Sequence, residues 1–87
     1  MPRIFIPPLL KTLTDGSEVI ETSGKTVGEV INELESRFPG IKAKLCEGDE
    51  LQPGLSISVN DKISTRGLLQ KLDDDSEVHF LPSIGGG

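Results

Sequence analysis

Thr26-Val27-Gly28-Glu29-Val30-Ile31-Asn32-Glu33-Leu34-Glu35-Ser36-Arg37-Phe38-Pro39-Gly40 is the stretch of this chain with helical spacing sustained over several turns. Val27, Val30, Ile31, Leu34 and Phe38 fall on one apolar stripe, the pattern of a helix with a single buried face. Thr26 and Glu29 stand three apart, as in a capping box, where the hydroxyl accepts a backbone N–H and the carboxylate reaches back. Glu33 and Arg37 are four apart on the polar side and form a small favourable pair. Pro39-Gly40 stops the helix, and Ile41 and Leu45 predict one further helical turn. One long helix with one stripe needs one covering layer, and the remaining segments must supply it.

Working outward, those segments read as strands. Arg3-Ile4-Phe5-Ile6 alternates, with Ile4 and Ile6 inward and Phe5 on the opposite face, until Pro7-Pro8 removes two ladder donors. Asp15-Gly16 is a turn signal, and Ser17 to Thr22 predicts a second strand around Val19 and Ile20, paired with the first as a wide hairpin. Glu47 to Gly54 reads as polar loop. Leu55, Ile57 and Val59 alternate with Ser56 and Ser58, and Asn60-Asp61 turns the chain into a short strand near Ile63. Leu68, Leu69 and Leu72 are expected to fold a connecting segment onto the core. Asp73-Asp74-Asp75-Ser76 is a charged turn, and Glu77 to Leu81 is the last strand, Val78 and Phe80 inward, His79 and Leu81 outward, ended by Pro82. The expected fold class is α+β: a mixed sheet of four to five strands wrapped on one helix, with apolar first and last strands in central positions. Residues 1–82 form the domain and residues 83–87 leave it as a tail.

Composition narrows the function. Eleven Leu, 8 Ile, 5 Val and 3 Phe make 27 large apolar residues of 87, above the ~20% below which chains stay disordered. A chain this short folds with a thin margin. One Cys and one His make neither an internal disulfide nor a structural zinc site, so no metal site is expected and a reducing cytoplasm is the natural compartment. The apolar run Ile4 to Leu10 contains two prolines and is too short to cross a bilayer, and the first residues lack a secretory pattern. A net charge of −5 repels nucleic acid and anionic lipid, so neither is expected as a partner.

Catalytic constellations are missing. His79 has no nucleophile nearby in a recognisable motif, Cys46 reads as a small buried hydrophobe, and Asp73 to Asp75 lacks the spaced oxygen ligands of a calcium loop. No glycine loop joins a strand to a helix for phosphate. The end of the chain is different: Gly85, Gly86 and Gly87 follow a strand and a strand-ending proline. Such a run is either an inert frayed end or a leash that brings a terminal carboxylate deep into another protein's active site. Glycine suits the second role, because without Cβ the backbone passes a narrow channel and leaves the carbonyl carbon open to attack. Pro82 and Ile84 then stiffen and anchor the approach.

The chain resembles the ubiquitin-like sulfur carriers of the ThiS/MoaD family, whose fold is the β-grasp. The resemblance is carried by Leu81-Pro82-Ser83-Ile84-Gly85-Gly86-Gly87 after the Asp-rich turn and the strand Glu77-Val78-His79-Phe80. Ile6-Pro7-Pro8-Leu9-Leu10, Thr26-Val27-Gly28-Glu29-Val30 and Val59-Asn60-Asp61 also look like the family. Gly85 takes the place of the family's small residue, so Gly86 and Gly87 are the expected functional pair, with no processing needed. The opening and the Leu-Pro ending are most similar to carriers serving cysteine biosynthesis, with the molybdopterin synthase small subunit as the near competitor. The resemblance implies adenylation of Gly87 by a ubiquitin-activating-like adenylyltransferase, and then a thiocarboxylate that donates sulfur to an acceptor enzyme. That acceptor is cysteine synthase-like, or a molybdopterin synthase large subunit. ATP and magnesium belong to the partner, so this chain is a carrier without a cofactor of its own.

Docking needs an exposed apolar patch near the exit of the tail. Phe5, His79 and Leu81 share a face if the first and last strands are neighbours, and Leu9 and Leu10 extend it. Two other classes compete with the carrier: a ubiquitin-like modifier conjugated to lysines, and an interaction module with an inert tail.

Overall fold

The covering layer forms around the stripe. The structure, a computed structural model, describes residues 1–82; Ser83, Ile84, Gly85, Gly86 and Gly87, and every expectation placed on them, lie outside the described residues. Helix α1 (Val27–Arg37) begins at Thr26, whose hydroxyl accepts the Glu29 N–H at 3.2 Å. The returning arm of the box is displaced by one residue: the Glu29 carboxylate accepts from the Lys25 N–H at 3.0 Å. Val27, Val30, Ile31 and Leu34 are fully buried, while Phe38 is half-buried and packs against the edge of the core. Gly40, at a φ of 102° that L side chains rarely adopt, turns the chain into α2 (Ile41–Leu45). The Glu35 carboxylate accepts from the Gly40 and Lys42 N–H groups, occupying donors that the start of α2 leaves unpaired.

The strands are β1 (Arg3–Phe5), β2 (Val19–Glu21), β3 (Cys46–Glu47), β4 (Glu50–Leu51), β5 (Leu55–Val59), β6 (Lys62–Ile63) and β7 (Glu77–Pro82). Five form one mixed sheet in the order β2-β1-β7-β5-β6. β7 takes the centre, parallel to β1 and antiparallel to β5, and the expected wide hairpin of β1 with β2 forms. Ile4, Ile20, Ile57, Val78 and Phe80 point from the sheet into the core beneath α1. Asn60 and Asp61, both at positive φ, make the tight turn between β5 and β6.

Four details depart from the sequence expectation. Glu47 to Gly54 is not all loop, because β3 and β4 form a small hairpin with Cys46 opposite Leu51. Pro8–Thr14 winds into 3-10 turns, ended by Thr14, whose buried hydroxyl donates to backbone carbonyls of Lys11 and Ser17. The ladder runs one residue further than expected, with Pro82 opposite Leu55, and proline, which has no N–H to donate, is the last residue of the strand. Leu69, expected to fold inward, stands 76% exposed on a 3-10 turn (Gly67–Leu69), while Leu68 and Leu72 do turn to the core.

Candidate docking face and carboxyl-terminal exit

The register of the sheet decides which side chains share its outer face. Phe5 is opposite Val19 on one side and His79 on the other, His79 is opposite Ser58, and Ser58 is opposite Ile63. A row Val19–Phe5–His79–Ser58–Ile63 therefore crosses all five strands on the side away from the helix. The Phe5 and His79 rings stack at 4.1 Å between centroids with planes 9° apart. Aromatic stacking adds about 0.5–1.5 kcal/mol beyond area burial and holds the two rings against each other, face to face across β1 and β7. Val19 and Ile63 are exposed at its two ends (42% and 60%).

Along the strands the face changes character. The neighbouring row toward the start of β7 is charged: Arg3 lies between Glu21 and Glu77 and is ion-paired to Glu77. The row toward the end of β7 is Leu81 opposite Ser56, with Leu81 exposed. β1 runs parallel to β7, so the segment after β1 emerges at the same end of the sheet as Leu81 and Pro82. Leu9, on that segment, is 92% exposed. Leu10 is half-buried and packs against the core, so only part of it serves the surface.

Phe5, His79 and Leu81 thus share a face as expected, with Leu9 at the same end. Val19, Ser58 and Ile63 were not singled out by sequence. Their place depends on cross-strand register, which alternation within one strand does not reveal. Pro82 ends β7, and the expected attachment site Gly87 with its approach Ile84, Gly85 and Gly86 lies beyond the described residues.

The rest of the chemistry is sparse. Cys46 is buried, and burial pushes its thiol pKa up, against a smaller lowering by Lys42; a thiol held protonated is a poor nucleophile. Among the described residues, no three His, Cys, Asp or Glu side chains gather to hold a metal ion. Among them, too, no helix is long and apolar enough to cross a membrane.

The profile of the ThiS family matches residues 5–87. This chain belongs to the ThiS family. The Mycobacterium tuberculosis (H37Rv) sulfur carrier protein CysO is 34% identical over 91 residues, an alignment covering 97% of this chain and 96% of that protein. A chain in the crystal structure of the Amycolatopsis orientalis BexX/CysO complex superposes with a TM-score of 0.90 at 35% identity, each chain covered fully. Small archaeal modifier protein 3 of Haloferax volcanii is 31% identical over 64 residues, covering 71% of this chain and 70% of its own. With such structural relatives, the mixed sheet on one long helix is the β-grasp fold of ThiS-family proteins.

Proposed function

We propose that this chain is a sulfur carrier whose reactive group is the carboxylate of Gly87. The observation that carries the proposal is the ThiS-family match running through residue 87, with near-full-length identity to a protein named as a sulfur carrier. A carboxylate is a poor electrophile because its charge is shared by two oxygens. In the proposed cycle a partner adenylyltransferase directs a Gly87 carboxylate oxygen at the α-phosphorus of ATP, releasing pyrophosphate and forming a mixed anhydride. A sulfide equivalent then attacks the carbonyl carbon and displaces AMP, leaving a thiocarboxylate. That sulfur attacks the acceptor's electrophile, and hydrolysis of the resulting thioester-like bond returns the carboxylate. ATP and magnesium are the partner's substrates, and the carrier holds no cofactor of its own.

In this reading residues 1–82 are the scaffold and residues 83–87 the working tail. Pro82 and Ile84 anchor the approach, and Gly85 and Gly86 pass the partner's channel. The face bearing Phe5, His79 and Leu81, extended by Leu9 and part of Leu10, is the docking surface. The acceptor is a cysteine synthase-like enzyme, in line with the CysO relatives; a molybdopterin synthase large subunit is the alternative acceptor. A lone buried thiol suits a reducing compartment, and we place the carrier in the cytoplasm.

A second reading, a modifier joined to lysine amines, is favoured by the identity to small archaeal modifier protein 3. Intact-mass measurement of the chain recovered from cells decides between them. The carrier gains the mass difference of one oxygen replaced by sulfur at Gly87, whereas the modifier appears in branched conjugates. If neither product forms and removal of Gly86 and Gly87 leaves partner binding and pathway flux unchanged, the tail is inert.

A further inference from the structure

A groove of about 610 Å³ opens on the helix side of the sheet, between the β3–β4 hairpin and the 3-10 turn Gly67–Leu69. Its walls are Leu51 and Leu68, each half-buried against the core, and the exposed Leu69. Asp49, Glu50 and Arg66 also line it. The ion pairs among the described residues are Arg3–Glu77, Lys11–Glu18 and Arg37–Glu33, and none of these three lining charges takes part in them.

The turn is held firmly in place. Gly67 adopts a φ of 56°, the Leu69 N–H reaches Arg66 O, the Gln70 N–H reaches Gly67 O, and the Gln70 side chain accepts from the Ser64 hydroxyl. The turn also lies directly on α1, where a Cβ at Gly28 would come within 3.2 Å of Leu68 O. Leu69 is therefore presented in water by an ordered support. An apolar group fixed in advance loses little conformational freedom when a partner covers it.

We infer that this groove is a second docking site, taking an aliphatic segment of another protein flanked by a basic and an acidic side chain. The basic group faces Asp49 and Glu50, and the acidic group faces Arg66. Charge chooses this occupant. The chain's own Ser83-Ile84-Gly85-Gly86-Gly87 offers no cation to Asp49 and Glu50, and a second copy brings another net −5. The groove and the Phe5–His79 row lie on opposite sides of the sheet, so one protein can hold the carrier here while another engages the outer face.

The test is an amide NMR titration of the full chain with a short synthetic peptide centred on Lys-Leu-Leu-Glu. Saturable shifts are expected at Leu51, Leu68 and Leu69, with the Phe5 and His79 amides unmoved. A Gln-Leu-Leu-Glu peptide is expected to bind roughly threefold more weakly from loss of one ion pair, and Lys-Ser-Ser-Glu about tenfold more weakly from loss of the anchor. Leu69→Ser, at an exposed position that leaves the fold intact, abolishes the shifts. Shifts on the outer face, equal binding of Lys-Ser-Ser-Glu, or no binding would overturn the inference. So would Leu69 signals that move on dilution, which assigns the groove to a second copy, or on removal of residues 83–87, which assigns it to the tail. Thiocarboxylate formation at Gly87 is read separately by mass, so either proposal can fail alone.

Discussion

Phe5 and His79 show how little of the proposed docking face is visible one residue at a time. Each is an ordinary outward position on its own strand, and only their pairing across β1 and β7 makes a stacked aromatic pair. In the proposed reading Phe5→Ala removes the centre of that surface and raises the KM for adenylation about tenfold with kcat little changed, the loss typical of a central interface aromatic. Steady-state kinetics with the activating partner measure it; an unchanged KM would remove Phe5 from the interface. Cys46 gives a contrasting expectation. Burial holds its thiol pKa above the ordinary 9.0, so alkylation at pH 8 is slow in the folded chain and fast in denaturant. The sign for stability follows: the protonated form is the one the fold favours, so Cys46 adds stability below its unfolded pKa, lost as pH climbs through the raised folded value. A Cys46→Ala chain compared by denaturation across alkaline pH isolates that contribution.

At the scale of elements, caps and turns carry specific weight. Thr26→Ala removes the acceptor for the Glu29 N–H and is expected to cost about 1 kcal/mol in urea unfolding. Glu35 holds the start of α2 through the Gly40 and Lys42 N–H groups, and those two bonds lower its carboxyl pKa below the ordinary 4.5. Its contribution is present above the unfolded pKa and fades as pH falls through the lowered folded one, so Glu35→Gln flattens the stability profile below about pH 4.5. An acid limb identical to the parent's would show that these bonds contribute nothing. The elements legible from sequence were those with strong local signals: the stripe and cap of α1, the alternation of β5 and β7, and the Asn60-Asp61 turn. The β3–β4 hairpin was not, because its strands are two residues each and its two pairings, Cys46 with Leu51 and Glu47 with Glu50, fall in a largely polar run. Leu69 was misplaced because a 3-10 turn points successive leucines in different directions, which a helical or strand period does not describe. Of the outer-face row proposed for docking, the β1 and β7 residues could be anticipated and Val19, Ser58 and Ile63 could not, since register is a tertiary property.

For the whole molecule, one helix pinned to one sheet leaves little redundancy. Leu34 is fully buried at the centre of the stripe, and Leu34→Ala is expected to cost about 2–5 kcal/mol, a large part of what a domain this small possesses. Thermal unfolding monitored by circular dichroism checks this, and a loss under ~1 kcal/mol would mean the core relaxes around the gap. The arrangement of the sheet also has a temporal consequence. Its middle strand, β7, comes last in sequence among the described strands and is flanked by β1, the first of them, and by β5. Closing that ladder pairs strands far apart in sequence, a slow kind of contact that can form only once β7 is available. A chain that stops short of β7 would leave β1 and β5 with nothing between them, so truncation there unmakes the sheet as a whole rather than fraying one edge.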